Sequence, residues 1–216
     1  LGAETVRDAS NQGIRLRTFA SGGMAYLWFN HEQSHLTSEW KIRKAIQLVF
    51  DSNLFVNKVI AIPGYKPAPT FFPSWLNGVE GKFRDEYPPE PVQPDLKAAQ
   101  KLMAEVRKEW GPNVLPELTL LTVTSPTGAK IAEYFQGLLK QTLGLDIKVD
   151  QQTFKQYLVK ANQGRFDIVL SSWYPDFDDI VTYADLMASW NPNNRGKYAN
   201  AEYDRWFRVF QEAQDP

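Results

Sequence analysis

Residues 164–179 read Gly-Arg-Phe-Asp-Ile-Val-Leu-Ser-Ser-Trp-Tyr-Pro-Asp-Phe-Asp-Asp. The stretch opens on a glycine that stops a helix, passes through Phe166, Ile168, Val169 and Leu170, and ends in aromatics and acids. A nearly unbroken apolar run of this length predicts a strand buried on both faces, as in parallel sheets. The chain then leaves the sheet through Ser171, Ser172, Trp173, Tyr174 and Pro175 and presents Asp176, with Phe177 and Asp178 beside it. Ligands of open α/β sheets sit beyond the carboxyl ends of the parallel strands. A carboxylate ringed by aromatics at such an end is well placed to hold a cationic group in an otherwise apolar cleft.

Immediately upstream the pattern alternates between strand and helix. Residues 118–123 read as a strand. Ile131, Tyr134, Phe135, Leu138 and Leu139 mark a helix ended by Gly144, and Leu145, Ile147 and Val149 alternate as the next strand. Thr153 caps a helix through Phe154, Tyr157, Leu158 and Ala161 that stops at Gly164. Such a βαβαβ unit, with right-handed crossovers, predicts three parallel or nearly parallel strands. A helix over residues 95–110, with Leu96, Ala99, Leu102, Met103 and Val106 inward, precedes it and is stopped by Gly111-Pro112. Two more helical patterns follow, at about residues 178–189 and 201–213. Asp178 and Asp179 fall where the first of these begins, a position that favours negative charge.

Toward the amino terminus the signals are sparser. Residues 1–13 carry no clear pattern. Residues 14–19 alternate apolar and basic side chains as an exposed strand does, residues 24–30 form a second strand, and Ser21-Gly22-Gly23 suggests a hairpin between them. Ser38 is placed to cap a helix whose Ile42, Ala45, Ile46 and Val49 share one face, with Lys41, Arg43, Lys44 and Gln47 opposite. Eight of the fourteen prolines lie between Pro63 and Pro94. That density leaves no room for a long helix or a central strand, so residues 61–94 are a Pro-rich irregular excursion.

The charge balance, 24 basic against 25 acidic residues for a net −1, gives no electrostatic case for nucleic acid or an anionic membrane surface. No apolar run approaches the roughly 20 residues that span a bilayer. With no cysteine there is no disulfide, thiolate metal site or cysteine nucleophile. The chain starts at Leu1 without an initiator Met or signal segment, and reads as an internal piece of a longer protein.

His31-Glu32-Gln33-Ser34-His35 matches H-E-x-x-H, which in zinc hydrolases puts two histidines one helical turn apart with the glutamate as base. That chemistry needs a helix, and here the motif follows a strand directly and lies before the cap at Ser38. A zinc hydrolase using His31, Glu32 and His35 is therefore the lesser reading, against a polar surface loop. No G-x-S-x-G elbow, phosphate loop or dinucleotide fingerprint occurs, and Asp176, Asp178 and Asp179 lack the glycine and glutamate of a calcium loop. Tyr26, Trp28, Trp173, Tyr174 and Phe177 are candidates to line a pocket. Each alone is more readily explained by core packing than by ligand contact, and position at a strand end singles out Trp173 and Tyr174.

Taken in order, several segments resemble the solute-binding proteins of peptide ABC transporters, the oligopeptide/dipeptide class known as family 5, which also holds nickel- and glycan-binding members. Tyr-Leu-Trp-Phe-Asn (26–30) resembles its strand ending in Phe-Asn. Ile42, Arg43, Ala45 and Asp51 carry its V-R-x-A helix, and residues 95–103 its d-x-x-k-A-k-x-L-L helix. Residues 164–176 resemble G-x-F-D, strand, then W-x-x-D, and residues 197–204 fit y-x-N-x-e-y-D. The chain departs from the pattern at Ser52, where a basic residue is usual, and at Ile180, at or near a usual proline.

The resemblance implies an α/β periplasmic-binding-protein type II lobe, with a mixed, largely parallel sheet flanked by helices. Residues 1–216 would form that single lobe, residues 1–23 would lie near the hinge strands, and the N-terminal lobe would lie outside the chain. It implies no enzyme activity and no cofactor. It implies a peptide ligand, whose α-ammonium pairs with Asp176, three residues after Trp173, in a site with Trp173, Tyr174, Phe177 and Trp28. The implied partner is an ABC permease, and the implied location is periplasmic or lipid-anchored at the cell surface, as a monomer. A non-peptide solute, an oligosaccharide or a metal chelate, is the alternative within the class.

Overall fold

The computed structural model describes all residues except 1, 16, 18, 20, 91, 112–116 and 214–216. In chain order the elements are α1 (Ala3–Asn11), β1 (Met24–Phe29), α2 (Trp40–Val49), α3 (Ser52–Leu54), α4 (Phe83–Glu86), α5 (Leu96–Trp110), β2 (Leu118–Val123), α6 (Pro126–Leu143), β3 (Ile147–Gln152), α7 (Phe154–Asn162), β4 (Ile168–Trp173), α8 (Val181–Ala184) and α9 (Ala201–Glu212). The four strands form one sheet in the order β1-β4-β2-β3. β2 runs parallel to both β3 and β4, and β1 is antiparallel to β4.

The topology follows from two crossovers taken in opposite directions. From β2 the chain steps outward to β3 through α6, then returns past β2 to β4 through α7. Right-handed crossovers of opposite direction put their helices on opposite faces of the sheet. The side chains alternate accordingly. Leu118 and Leu120 of β2, Ile168 of β4 and Ile147 of β3 enter one core with Ile42, Ile46, Met103, Val106, Phe135 and Leu139 from α2, α5 and α6. Leu121, Val169 and Trp28 point the other way, into a second core with Tyr157 and Ala161 of α7, Phe166 and Leu186. The central strands β2 and β4 are thus buried on both faces. The edge strand β3 buries Ile147 alone, and its Lys148 is exposed. Each fully buried aliphatic side chain contributes about 1.5–3 kcal/mol.

Helix ends follow local chemistry. Asp95, Ser125 and Thr153 each accept a backbone N–H from the first turn of α5, α6 and α7, a contribution of about 1 kcal/mol apiece. Gly144 closes α6 in the left-handed region. Ser38 is not the cap of α2: it lies in a short 3₁₀ turn (Leu36–Ser38), and Glu39 caps the helix by accepting from Lys41 N. Arg43 does not stand in solvent but turns back to donate to the carbonyls of Thr37 and Ser38, at 2.6 and 2.7 Å.

The amino-terminal expectations fail in three places. Residues 3–11 are helical although they showed no pattern. The described residues among 14–19 carry no strand, and positions 16 and 18 lie outside the described residues. No hairpin forms at Gly22-Gly23, because β1 takes its register from β4, 139 residues later in chain order at the Phe29↔Ile168 pair. β4 itself begins and ends later than its apolar run, extending through Ser171 and Ser172 to Trp173, opposite Met24. Leu96 and Phe154 are exposed, at 47% and 66%, despite their helical spacing.

A polar clamp closes the amino end of β4. Asn30, fully buried, donates through Nδ2 to the carbonyls of Gly164 (2.9 Å) and Phe166 (3.1 Å), and its Oδ1 accepts from Glu32 N (3.0 Å). Asp167 accepts from Thr119 N (2.8 Å) and meets His35 Nδ1 at 3.0 Å. The Thr37 hydroxyl sits between the carbonyls of Asn30 and Asp167, at 2.8 and 3.0 Å. Beside this clamp Gly196 lies flat on Trp28. A Cβ there would enter the indole ring and come 2.5 Å from the Phe29 carbonyl oxygen. Gly196→Ala is therefore expected to cost about 1–3 kcal/mol, the usual price of overpacking. A urea midpoint unchanged from wild type would contradict that close approach.

Candidate ligand site at the carboxyl end of the sheet

Because the crossovers out of β2 and into β4 run in opposite directions along the sheet, the boundary between these parallel strands is a topological switch point, and crevices at such points hold ligands in open α/β sheets. The strands pair only at Leu120↔Ile168 and Leu121↔Val169. Past those positions the side of β4 that faces β2 has no strand partner among the described residues. β4 continues along β1 to Trp173, and Asp176 follows three residues later, exposed.

Three separate segments converge on this loop. The buried Thr182 of α8 accepts through its hydroxyl from Asp176 N (3.3 Å) and from Trp173 Nε1 (3.4 Å). Its neighbour Tyr183, fully buried, donates to the Gly22 carbonyl at 2.7 Å. Burial pushes the Tyr183 phenol up to about 12, and the nearby Asp178 carboxylate adds to the rise, so the hydroxyl keeps the proton it donates. Gly22 has φ +68°, a region that side chains avoid. It is also flanked by the Trp75 ring and by Pro175, whose Cγ lies 2.9 Å from where a Cβ would be. Tyr174 lies over Gly23, its Cε1 2.5 Å from the corresponding position.

The Pro-rich excursion supplies the third wall. Phe71 packs edge-on to Tyr26 and Tyr183, and Asn77 Nδ2 donates to Asp178 Oδ2 at 3.4 Å. Its tip is held by Glu86, whose carboxylate accepts from three successive backbone N–H groups, those of Val79, Glu80 and Gly81. Those bonds hold the Glu86 carboxyl below its ordinary value.

The candidate residues divide into two groups. Trp173, Tyr174, Asp176 and Phe177 share one loop at the switch point, with Tyr174 and Phe177 62% and 53% exposed. Trp28 is 5% exposed and packs in the second core, edge-on to Tyr26, so it supports the floor and offers no free ring face. Asp179 accepts from Val181 N at 2.8 Å, as an acid at a helix start does. Asp185 lies on the same side. Burial raises its carboxyl, a hydrogen bond with Asn191 opposes the rise, and the charge of Asp176 adds to it. The sequence reading passed over Thr182, Tyr183 and Trp75. Their only signal was an aromatic or hydroxyl residue inside a stretch otherwise classed as loop or acidic helix start.

The residues of the H-E-x-x-H match are at the opposite end of the sheet, and they are not helical: residues 32–35 form a turn. His31 packs edge-on to Tyr198, and burial, then the charge of Arg43, lowers its pKa to about 4. His35 is committed to Asp167. The single helical face that two zinc-binding histidines require is missing, which overturns the zinc reading of His31, Glu32 and His35.

Residues 2–195 match the family described as bacterial extracellular solute-binding proteins, family 5 middle. The chain is 30% identical over 188 residues to the periplasmic murein peptide-binding protein MppA of Escherichia coli, and 31% identical over 183 residues to the dipeptide-binding protein DppE of Bacillus subtilis. Each match covers 85% of this chain and 33% of the relative, so the chain spans about a third of the length of these proteins. Among solved structures, peptide-bound OppA of Listeria monocytogenes superposes with a TM-score of 0.86 at 26% identity, over 96% of this chain and 42% of that one. The Escherichia coli murein tripeptide-binding protein gives 0.82 at 26%, over 100% and 42%.

Proposed function

The chain belongs to the bacterial extracellular solute-binding proteins of family 5, and from that membership we propose that it is the ligand-binding lobe of a peptide receptor for an ABC importer. It binds and does not transform its solute. The observation that carries the reading is Asp176, an exposed carboxylate at the switch point, beside an edge of β4 that lacks a strand partner among the described residues. An ammonium group held there in a closed, dry cleft makes a charge-assisted hydrogen bond. An extended peptide added along residues 171–173 gains main-chain hydrogen bonds whatever its sequence. Trp173, Tyr174 and Phe177 then take its side chains, with Trp28 beneath them as support. The names of the similar proteins, a murein peptide-binding protein and a dipeptide-binding protein, support a peptide ligand.

In this reading residues 1–23 approach the hinge, since Gly22 enters β1 at the mouth of the crevice. The second lobe is supplied by the rest of a longer chain, and closure of the two lobes shields the ligand from water. The receptor works outside the cytoplasm, periplasmic or lipid-anchored, as a monomer, and hands its peptide to a membrane permease. Native mass spectrometry of the full-length protein, purified without denaturation, tests the ligand class. A ladder of peptide masses is the expected result. A single bound sugar or metal complex would keep the family and discard the peptide.

A further inference from the structure

Asp176 is exposed on a loop that follows a strand end, and among the described residues its side chain makes no hydrogen bond that would fix its direction. A carboxylate that must meet one ammonium needs its backbone held, because freedom left in the loop is lost again on binding. The structure supplies that restraint from one place. Thr182 is 3% exposed, and its Oγ1 is the shared acceptor for Asp176 N at 3.3 Å and Trp173 Nε1 at 3.4 Å. One hydroxyl oxygen has two lone pairs, so it can serve both donors and still donate its own proton. The next residue, Tyr183, fastens the other wall through Gly22 O. With only four residues, α8 acts through these side chains and not through its dipole.

We propose that Thr182 is a positioning residue for recognition of the ligand's ammonium group: it aims Asp176 and stiffens the Trp173 ring beside it. The inference rests on the peptide reading of the site. Removing the hydroxyl oxygen leaves two donors without their acceptor and frees the loop, while the fold's two main cores stay intact. Valine keeps the shape of threonine without the hydroxyl, and serine keeps the oxygen without the methyl.

The test uses the full-length protein and two forms of one bound peptide, with a free and with an acetylated amino terminus. Wild type should prefer the free form, and Asp176→Asn should abolish that preference. If Asp176→Asn leaves the preference intact, the peptide reading of the site fails, and this inference with it. Given that control, Thr182→Val is expected to weaken the free peptide about tenfold, the loss of one net hydrogen bond, and to weaken the acetylated peptide much less, through the loosened Trp173 ring alone. Thr182→Ser should restore the preference. Equal weakening of both peptides, no weakening, or a Thr182→Ser variant as impaired as Thr182→Val would each overturn the positioning role. Should Thr182→Val not fold, hydrogen exchange of wild type decides: the Asp176 amide should exchange slowly despite the exposed side chain, and fast exchange would refute the proposal.

Discussion

Asp176→Ala in the full-length protein is expected to weaken a peptide with a free amino terminus by about 2–5 kcal/mol, the cost of truncating one partner of a desolvated, hydrogen-bonded charge pair. That corresponds to a loss of roughly 30-fold to several thousand-fold in Kd. The size of the effect follows from the proposed closure of the cleft over the ligand. The ammonium would remain buried but lose its counter-charge, and such orphaned charges are expensive. Titration calorimetry with matched free and acetylated peptides isolates the term: the variant should lose affinity for the first and not for the second. Indifference to the substitution would point to an oligosaccharide or a metal chelate, neither of which presents an α-ammonium.

The second large effect is on stability. Asn30→Ala removes a buried amide that satisfies two carbonyls and one N–H at the amino end of β4. Each buried group left without a partner costs about 1–3 kcal/mol. The three losses are coupled through one side chain and do not simply add. An overall destabilisation of about 3–5 kcal/mol is expected, seen as a lower urea midpoint at unchanged m-value. A loss under about 1 kcal/mol would mean that water replaces the amide and that the clamp is not closed. Peptide affinity of the folded variant should be unaffected, since Asn30 and Asp176 serve opposite ends of the sheet.

The contrast between these residues shows what the sequence made legible. The βαβαβ unit was readable because its signals are local: alternating apolar residues, Thr153 as a cap, Gly144 and Gly164 as stops. Asp176 was readable because the order of strand, aromatic and acid places it at a strand's carboxyl end. What could not be read depended on partners distant in sequence. The hydropathy of β4 fades at Leu170, yet pairing with β1 carries the strand on to Trp173. Residues 14–19 alternate like a strand, but the described residues among them join no strand of the sheet. Trp28 looked like a pocket aromatic, and its burial in the second core, with Gly196 pressed against its ring, shows it to be enclosed. Thr182 and Tyr183 fell within the helical pattern at residues 178–189, but periodicity did not show what they hold, Asp176, Trp173 and Gly22. Ser38 had the residue type of a cap, but the side chain that reaches Lys41 N is that of Glu39.

The antiparallel placement of β1 also sets a timetable. Its only strand partner among the described residues is β4, and the Asn30 amide is completed by a carbonyl 134 positions later. At synthesis rates of about 5–20 residues per second, that partner follows on the order of ten seconds behind. Throughout that interval Met24, Leu27 and Trp28 emerge as an apolar, unpaired segment, and closing so long a loop is slow in itself. The loop that carries Asp176, held through Thr182 and Tyr183 to Trp173 and Gly22, is therefore expected among the last parts to become ordered, because β4 must first be made and paired with β1.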